Sequence, residues 1–177
     1  MSQNGENEAH KAAKAIKEAG FRFDTAYTST LIRAHQTLDI LLADLNQTNL
    51  PVLKDAALNE RHYGELQGMN KDEMRKKFGP EQVQLWRRSY DTRPPGGECL
   101  ADTAARAWPF YQRAIVPDLA AGKNILVSAH GNSLRAIVMH LDGLSKEQVM
   151  ALEIPTGVPY IYEFDKSMRI LAKEILD

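Results

Sequence analysis

Apolar residues along the chain alternate between two spacings. Ala9, Ala12, Ala13, Ile16 and Ala19 recur at steps of three and four, which puts them on one stripe of a helix. Ser2 or Asn4 can cap that helix, and Gly20 stops it. The run Phe23-Asp24-Thr25-Ala26-Tyr27-Thr28 predicts a strand. Helical spacing returns with Leu31, Ala34, Leu38, Leu41, Leu42 and Leu45, and Pro51-Val52-Leu53-Lys54 predicts a short second strand. From Asn59 to Gly97 the chain is polar and loop-rich, with two short helices. One runs from an Asn70 cap through Asp72 and Glu73 to Gly79; the other opens with Pro80 at its first position and carries Val83 and Trp86.

A long helix is predicted from Leu100 to Ala121, carrying Ala104, Trp108, Tyr111, Ile115 and Leu119, with Pro109 and Pro117 expected to kink or split it. The apolar run Ile125-Leu126-Val127 then predicts a buried strand that stops at Ala129-His130-Gly131, followed by a helix-like run through Ile137 and Val138. Ser145-Lys146-Glu147-Gln148 is a capping box. Pro159 to Phe164 and Arg169 to Glu174 form a closing hairpin around Asp165-Lys166-Ser167. This alternation of helix and strand predicts a single α/β domain over residues 1–177 with a polar insertion in its middle.

The 177 residues suffice for one full core. The 22 Lys and Arg nearly balance the 23 Asp and Glu, so no global field draws the chain to nucleic acid or membrane, and any basic function must be local. Cys99 is the only cysteine, which excludes an intramolecular disulfide and suits a reducing cytosol. The polar start Met1-Ser2-Gln3-Asn4-Gly5-Glu6 and the lack of any run of membrane-spanning length lead to the expectation of a cytoplasmic protein.

Against this background a few residues could carry chemistry. His130 sits where a strand gives way to a helix, the place where open α/β sheets bind ligands and where free helix N–H groups attract anions. It could equally be a surface histidine in a βα loop. Arg33 lies one turn into the helix after the Tyr27 strand, and Glu60 lies in Leu58-Asn59-Glu60-Arg61-His62-Tyr63-Gly64-Glu65, a run too polar for a core element. A pocketed glutamate can exchange protons with a hydroxyl, whereas an ordinary loop glutamate is merely solvated. Lys71 opens a helix, a poor place for a cation unless an anion is near. Arg87 and Arg88 place two guanidiniums at a helix end, where they either complement the dipole or grip phosphate and carboxylate oxygens. No metal-ligand spacing, phosphate-binding G-x-x-x-x-G-K-[ST] loop or G-x-S-x-G elbow occurs. Together these residues describe a metal-free pocket for a small molecule with several negative charges.

Thr28-Ser29 through Arg33-Ala34, Leu58 through Gly64, Trp86-Arg87-Arg88-Ser89-Tyr90-Asp91, Ala129 through Arg135, and Ile154-Pro155-Thr156-Gly157-Val158-Pro159 resemble cofactor-dependent phosphoglycerate mutase, of the histidine phosphatase superfamily. The passage Arg93-Pro94-Pro95-Gly96-Gly97-Glu98 resembles its compact members. The resemblance implies a three-layer α/β sandwich, a mostly parallel sheet with helices on both faces. It also implies interconversion of 3-phosphoglycerate and 2-phosphoglycerate, in glycolysis and gluconeogenesis, through a phosphohistidine primed by 2,3-bisphosphoglycerate. By the same resemblance His130 and Glu60 are catalytic: His130 stabilises the transferring phosphoryl group, and Glu60 exchanges protons with substrate hydroxyls. Arg33 binds that phosphoryl group, Gly131 and Asn132 lie beside it, and Arg61, His62, Tyr63, Lys71, Arg87 and Arg88 hold the rest of the phosphoglycerate. A homodimer is compatible with the resemblance.

One departure qualifies this. The family opens with an apolar strand ending in Arg-His-Gly, whose histidine carries the phosphoryl group, and that motif does not occur in these 177 residues. Met1 to Gly5 aligns with the family's first helix, so the first strand is expected to be missing and the polypeptide alone to be inactive. His10, His35 and His140 fall in predicted helices, and His62 belongs to the Glu60 loop. Three readings stay open: an incomplete version of a longer enzyme, a non-catalytic anion-binding pseudoenzyme, or a strand supplied by another chain or segment. A phosphatase of the same superfamily is a further alternative activity.

Overall fold

The structure, a computed structural model, describes residues 1–176, with the side chain of Lys71 outside that description. Helix α1 (Gln3–Glu18) starts where Ser2 Oγ accepts the Gly5 N–H at 3.2 Å, and it buries Ala9, Ala12, Ala13 and Ile16. Strand β1 (Thr25–Thr28) is buried along its whole length, and helix α2 (Ile32–Asp44) follows. Strand β2 is Val52–Lys54 and β3 is Ile125–Ser128. Both pair with β1 in parallel, Ala26 lying opposite Val52 on one side and Leu126 on the other. The order is therefore β2-β1-β3, with β1 central. A parallel sheet needs cover on both faces. Ala12, Ile16, Leu38 and Leu42 from α1 and α2 pack with Ala26 and Leu126 on one side. On the other, Tyr27 packs with residues of α5 (Leu100–Phe110) and α7 (Gly131–Leu141). This is the α/β layering expected, with helices on both faces of a parallel sheet.

The polar middle folds as two short 3₁₀ turns, Ala56–Leu58 and Gly64–Leu66, then α3 (Lys71–Phe78) and α4 (Pro80–Arg88). Leu66, Met74 and Val83 give it a small core of its own. Gly64 is at φ +58°, and a Cβ there would run into the Pro95 carbonyl, so glycine lets the two loops meet. The Leu58–Glu65 run differs from its polar reading, because Leu58 and Arg61 are buried.

The two prolines split the long helix as expected. Between α5 and α6 (Val116–Ala120) the backbone widens into a π turn, Tyr111–Ile115. Pro117 has no N–H for the Arg113 carbonyl four residues back, and its ring crowds that carbonyl, so the turn relaxes to a looser pattern. Helix α8 (Lys146–Ala151) carries the Ser145 capping box, and β4 (Tyr160–Phe164) and β5 (Ile170–Ile175) form an antiparallel hairpin. That hairpin is a second sheet. Among the described residues β3 pairs only with β1 and β4 only with β5. A cleft of about 530 Å³, lined by both strands, lies between them.

Candidate active site

The site forms where β1 and β3 end side by side. Thr28 Oγ1 donates to the Ser128 carbonyl at 2.7 Å and pins the two strand ends together. Ser29, the next residue, is fully buried, and His130 caps the start of α7 with its N–H donated to Ser133 Oγ at 3.2 Å. The His130 ring, 6% exposed, is held at both nitrogens. Nε2 lies 2.7 Å from Ser29 Oγ, and Arg33 Nε donates to Nδ1 at 3.2 Å. A guanidinium can only donate, so Nδ1 presents its lone pair. Burial pushes the His130 pKa down to about 4, the Arg33 and Arg106 charges add to this, and Glu60 opposes it. The ring is neutral at pH 7.

Glu60 reaches the same place on a loop held from below by one arginine. Arg106 Nη1 donates to the carbonyls of Ala57 at 2.7 Å and Asn59 at 3.0 Å, and Nη2 to that of Glu60 at 3.3 Å. Arg106 itself is fixed by Glu98, with both carboxylate oxygens at 2.9 Å. Thus anchored, Glu60 Oε1 accepts from the Arg61 N–H at 2.8 Å, from Asn132 Nδ2 at 2.9 Å and from the Asn132 N–H at 3.3 Å. The carboxylate therefore sits at the positive N-terminal end of α7, a favourable place for negative charge. It keeps lone pairs for a substrate hydroxyl.

A cationic layer lies behind Glu60. Asn132 Nδ2 also donates to the Tyr63 hydroxyl at 3.3 Å, and Arg135 Nη1 donates to Asn132 Oδ1 at 3.1 Å. Arg61 is 3% exposed, lies 4.8 Å above the Tyr63 ring, and donates from Nη2 to the Arg87 carbonyl at 3.2 Å. Burial, together with the charges of Arg61 and Arg88, lowers the Arg135 pKa from its ordinary value. Among the described residues the buried Nε atoms of Arg61 and Arg135 find no hydrogen-bond partner. Crowded cations with unspent donors suit a site for an anion.

Of the residues singled out in the sequence, Arg33, Glu60, His130 and Gly131 line one cleft of about 500 Å³. Asn132, Tyr63 and Arg61 adjoin it through Glu60 and its partners. Others lie elsewhere. His62 is exposed, and its Nδ1 accepts the Gly64 N–H at 3.1 Å, so it shapes the loop. Arg88 is exposed, pairs with Glu153 at 3.0 Å and faces a separate surface groove with Leu85 and Met150. Arg87 is half-buried and contributes its carbonyl to Arg61. Lys71 opens α3, and its side chain lies outside the described residues. Ser29, Arg106 and Arg135 escaped the sequence reading. Arg106 had a signal, a lone charge beside Ala104 and Ala107 on a core-facing helix, and Arg135 lies one helical turn beyond Asn132.

Comparison with known proteins bears on this arrangement. The family model of the histidine phosphatase superfamily (branch 1) matches residues 1–173. A phosphoglycerate mutase of Schizosaccharomyces pombe is 49% identical over 177 residues, which are 100% of this chain and 84% of that protein. A 2,3-bisphosphoglycerate-dependent phosphoglycerate mutase of Nitrobacter winogradskyi is 54% identical over 173 residues, 98% of this chain and 84% of its own. Among solved structures, a mycobacterial glucosyl-3-phosphoglycerate phosphatase in complex with inorganic phosphate superposes with a TM-score of 0.80. That match covers 99% of this chain and 84% of the other at 24% identity, and so speaks to the fold alone.

Proposed function

The chain belongs to the histidine phosphatase superfamily, and from that premise we propose that its site handles phosphoglycerates. The reaction is the interconversion of 3-phosphoglycerate and 2-phosphoglycerate through a phosphohistidine, primed by 2,3-bisphosphoglycerate. The observation that carries this reading is the convergence of Arg33, His130 and Glu60 on one cleft. A phosphoryl group there meets the Arg33 guanidinium and the His130 ring, and Glu60 stands ready to exchange a proton with a hydroxyl. Phosphoryl transfer asks mainly for such positioning and charge stabilisation. Arg61 and Tyr63, which adjoin Glu60 through Asn132 and the loop backbone, hold the carboxylate and second phosphate; Gly131 and Asn132 flank His130. The names of the relatives support this assignment over a general phosphatase or a pure binding protein. The reading carries with it a cytosolic location and leaves a homodimer open.

Among the described residues no second histidine lines the cleft with His130. His10 and His35 are on α1 and α2, His140 is on α7, and His62 shapes its loop. The polypeptide by itself accordingly binds phosphoglycerates without turning them over. Calorimetric titration with 3-phosphoglycerate and with phenyl phosphate tests the first half: the phosphoglycerate is expected to bind more tightly, and equal affinities would overturn the assignment. Incubation with 2,3-bisphosphoglycerate tests the second. No acid-labile phosphohistidine is expected, and finding one would sink that half.

A further inference from the structure

Ser29 is fully buried, and its side chain meets the His130 ring. Its Oγ lies 2.7 Å from Nε2 and also accepts the Leu31 N–H at 3.1 Å, at the start of the helix that carries Arg33. Because Arg33 Nε donates to Nδ1, the proton of the neutral ring stands on Nε2 and is donated to Ser29. The Ser29 carbonyl in turn accepts from His35 Nε2 at 2.6 Å, which ties the residue down from the α2 side. One hydroxyl thus fixes the imidazole and the first turn of the arginine's helix against each other.

We propose that Ser29 is a positioning residue for phosphoryl transfer: by accepting the hydrogen bond from Nε2–H it turns Nδ1 of His130 toward Arg33 and a bound phosphoryl oxygen. The inference rests on His130 being the phosphoryl-facing histidine, but its first test needs no substrate. The charged groups facing the ring are Arg33 from α2, Arg106 from α5 and Glu60 from its loop. The two guanidiniums have no acceptor atom, and the Glu60 carboxylate is held by the Arg61 N–H and by Asn132, so neither kind of group replaces Ser29 as the acceptor for Nε2–H. When a phosphate takes the Arg33 guanidinium, the freed Nδ1 lone pair faces an anionic oxygen. A proton taken from the buffer at Nδ1 turns that repulsion into a second charge-assisted hydrogen bond.

Two-bond ¹H–¹⁵N spectra of the imidazole rings at neutral pH are the direct test. In the unaltered protein His130 is expected as the Nε2–H tautomer with a slowly exchanging, observable Nε2 proton; an Nδ1–H tautomer would overturn the proposal without any variant. Ser29→Ala is expected to lose that proton signal and to bind inorganic phosphate about tenfold more weakly, with Ser29→Thr restoring both. Phosphate is also expected to raise the His130 titration midpoint in the unaltered protein and less so in Ser29→Ala. A folded Ser29→Ala that keeps the signal and the affinity would show that Arg33 alone sets the ring. Should phosphate fail to bind the unaltered protein while the Nε2 proton behaves as described, the phosphoglycerate reading and the role in phosphoryl transfer both fall, and Ser29 keeps only its hold on the ring; an Nδ1–H tautomer with phosphate bound overturns the Ser29 role alone.

Discussion

A neutral, buried His130 ties the stability of the fold to pH. The unfolded chain binds a proton at the ordinary value of 6.5, whereas the folded chain holds off until about 4. Between those limits the unfolded state carries more protons, so stability falls as pH falls from 6.5 to 4 and is insensitive to this group above 6.5. The loss is on the order of 3 kcal/mol. Urea denaturation of the unaltered protein and of His130→Gln across that interval measures it: the variant is expected to show the shallower decline, and equal slopes would assign the effect elsewhere. At this scale the sequence was half informative. His130 was visible from the strand-to-helix turn it occupies, but whether it faced solvent or an anion site depended on Ser29 and Arg33. Those residues come from another strand end, 101 and 97 positions away in sequence. Local spacing cannot report so distant a juxtaposition. Arg33 carries its own expectation. Arg33→Ala removes the guanidinium that hydrogen-bonds Nδ1 of His130 and is expected to weaken 3-phosphoglycerate binding in the same titration by at least about tenfold, with Tm unchanged because the residue is exposed.

Elements were legible where a local rule forces them. Ser2, Asn70 and Ser145 cap the helices they were expected to cap, and Pro109 and Pro117 bracket the π turn. The Glu60 loop obeys no such rule, since its conformation is imposed by Arg106 from a different element. That guanidinium satisfies four carbonyls of the segment, those of Ala56, Ala57, Asn59 and Glu60, and the Glu98 carboxylate, and both members of the ion pair are about three-quarters covered. Arg106→Ala is therefore expected to cost about 2–4 kcal/mol in stability, through orphaned carbonyls and an unpaired carboxylate. It should also speed hydrogen exchange through Asn59–Glu65 before the rest of the fold. Arg88→Ala is the matched control, because its pair with Glu153 is largely exposed and is worth less than about 1 kcal/mol. Equal losses in the two variants would show that the loop does not depend on Arg106.

For the whole molecule, the question is how two sheets with facing edges hold together. The parallel sheet ends at β3 and the hairpin begins at β4, and the cleft between them is lined by Phe23, Tyr111, Ile137, Val138 and Tyr162. It continues into the second cleft, which shares Leu126 and Val127 and leads to His130. The sequence pattern named every strand but not this gap, since strand order follows from long-range pairing rather than from periodicity. Family likeness supplied the expectation of a missing apolar strand ending in Arg-His-Gly, and the cleft lies alongside β3, the strand that leads to His130. A strand edge bordered by apolar side chains is a template for pairing with another chain. The 177-residue polypeptide is thus expected to bind a hydrophobic dye in its native buffer and to gain mass with concentration in sedimentation velocity. An extended apolar peptide ending in Arg-His-Gly, added in trans, should suppress both effects and raise Tm, because it would pair with β3 and β4 while burying its side chains between the layers. The same peptide with its apolar residues replaced by serine should do neither. If the polypeptide stays monomeric and dark to the dye, the helical layers must close over the β3 edge without a strand between them.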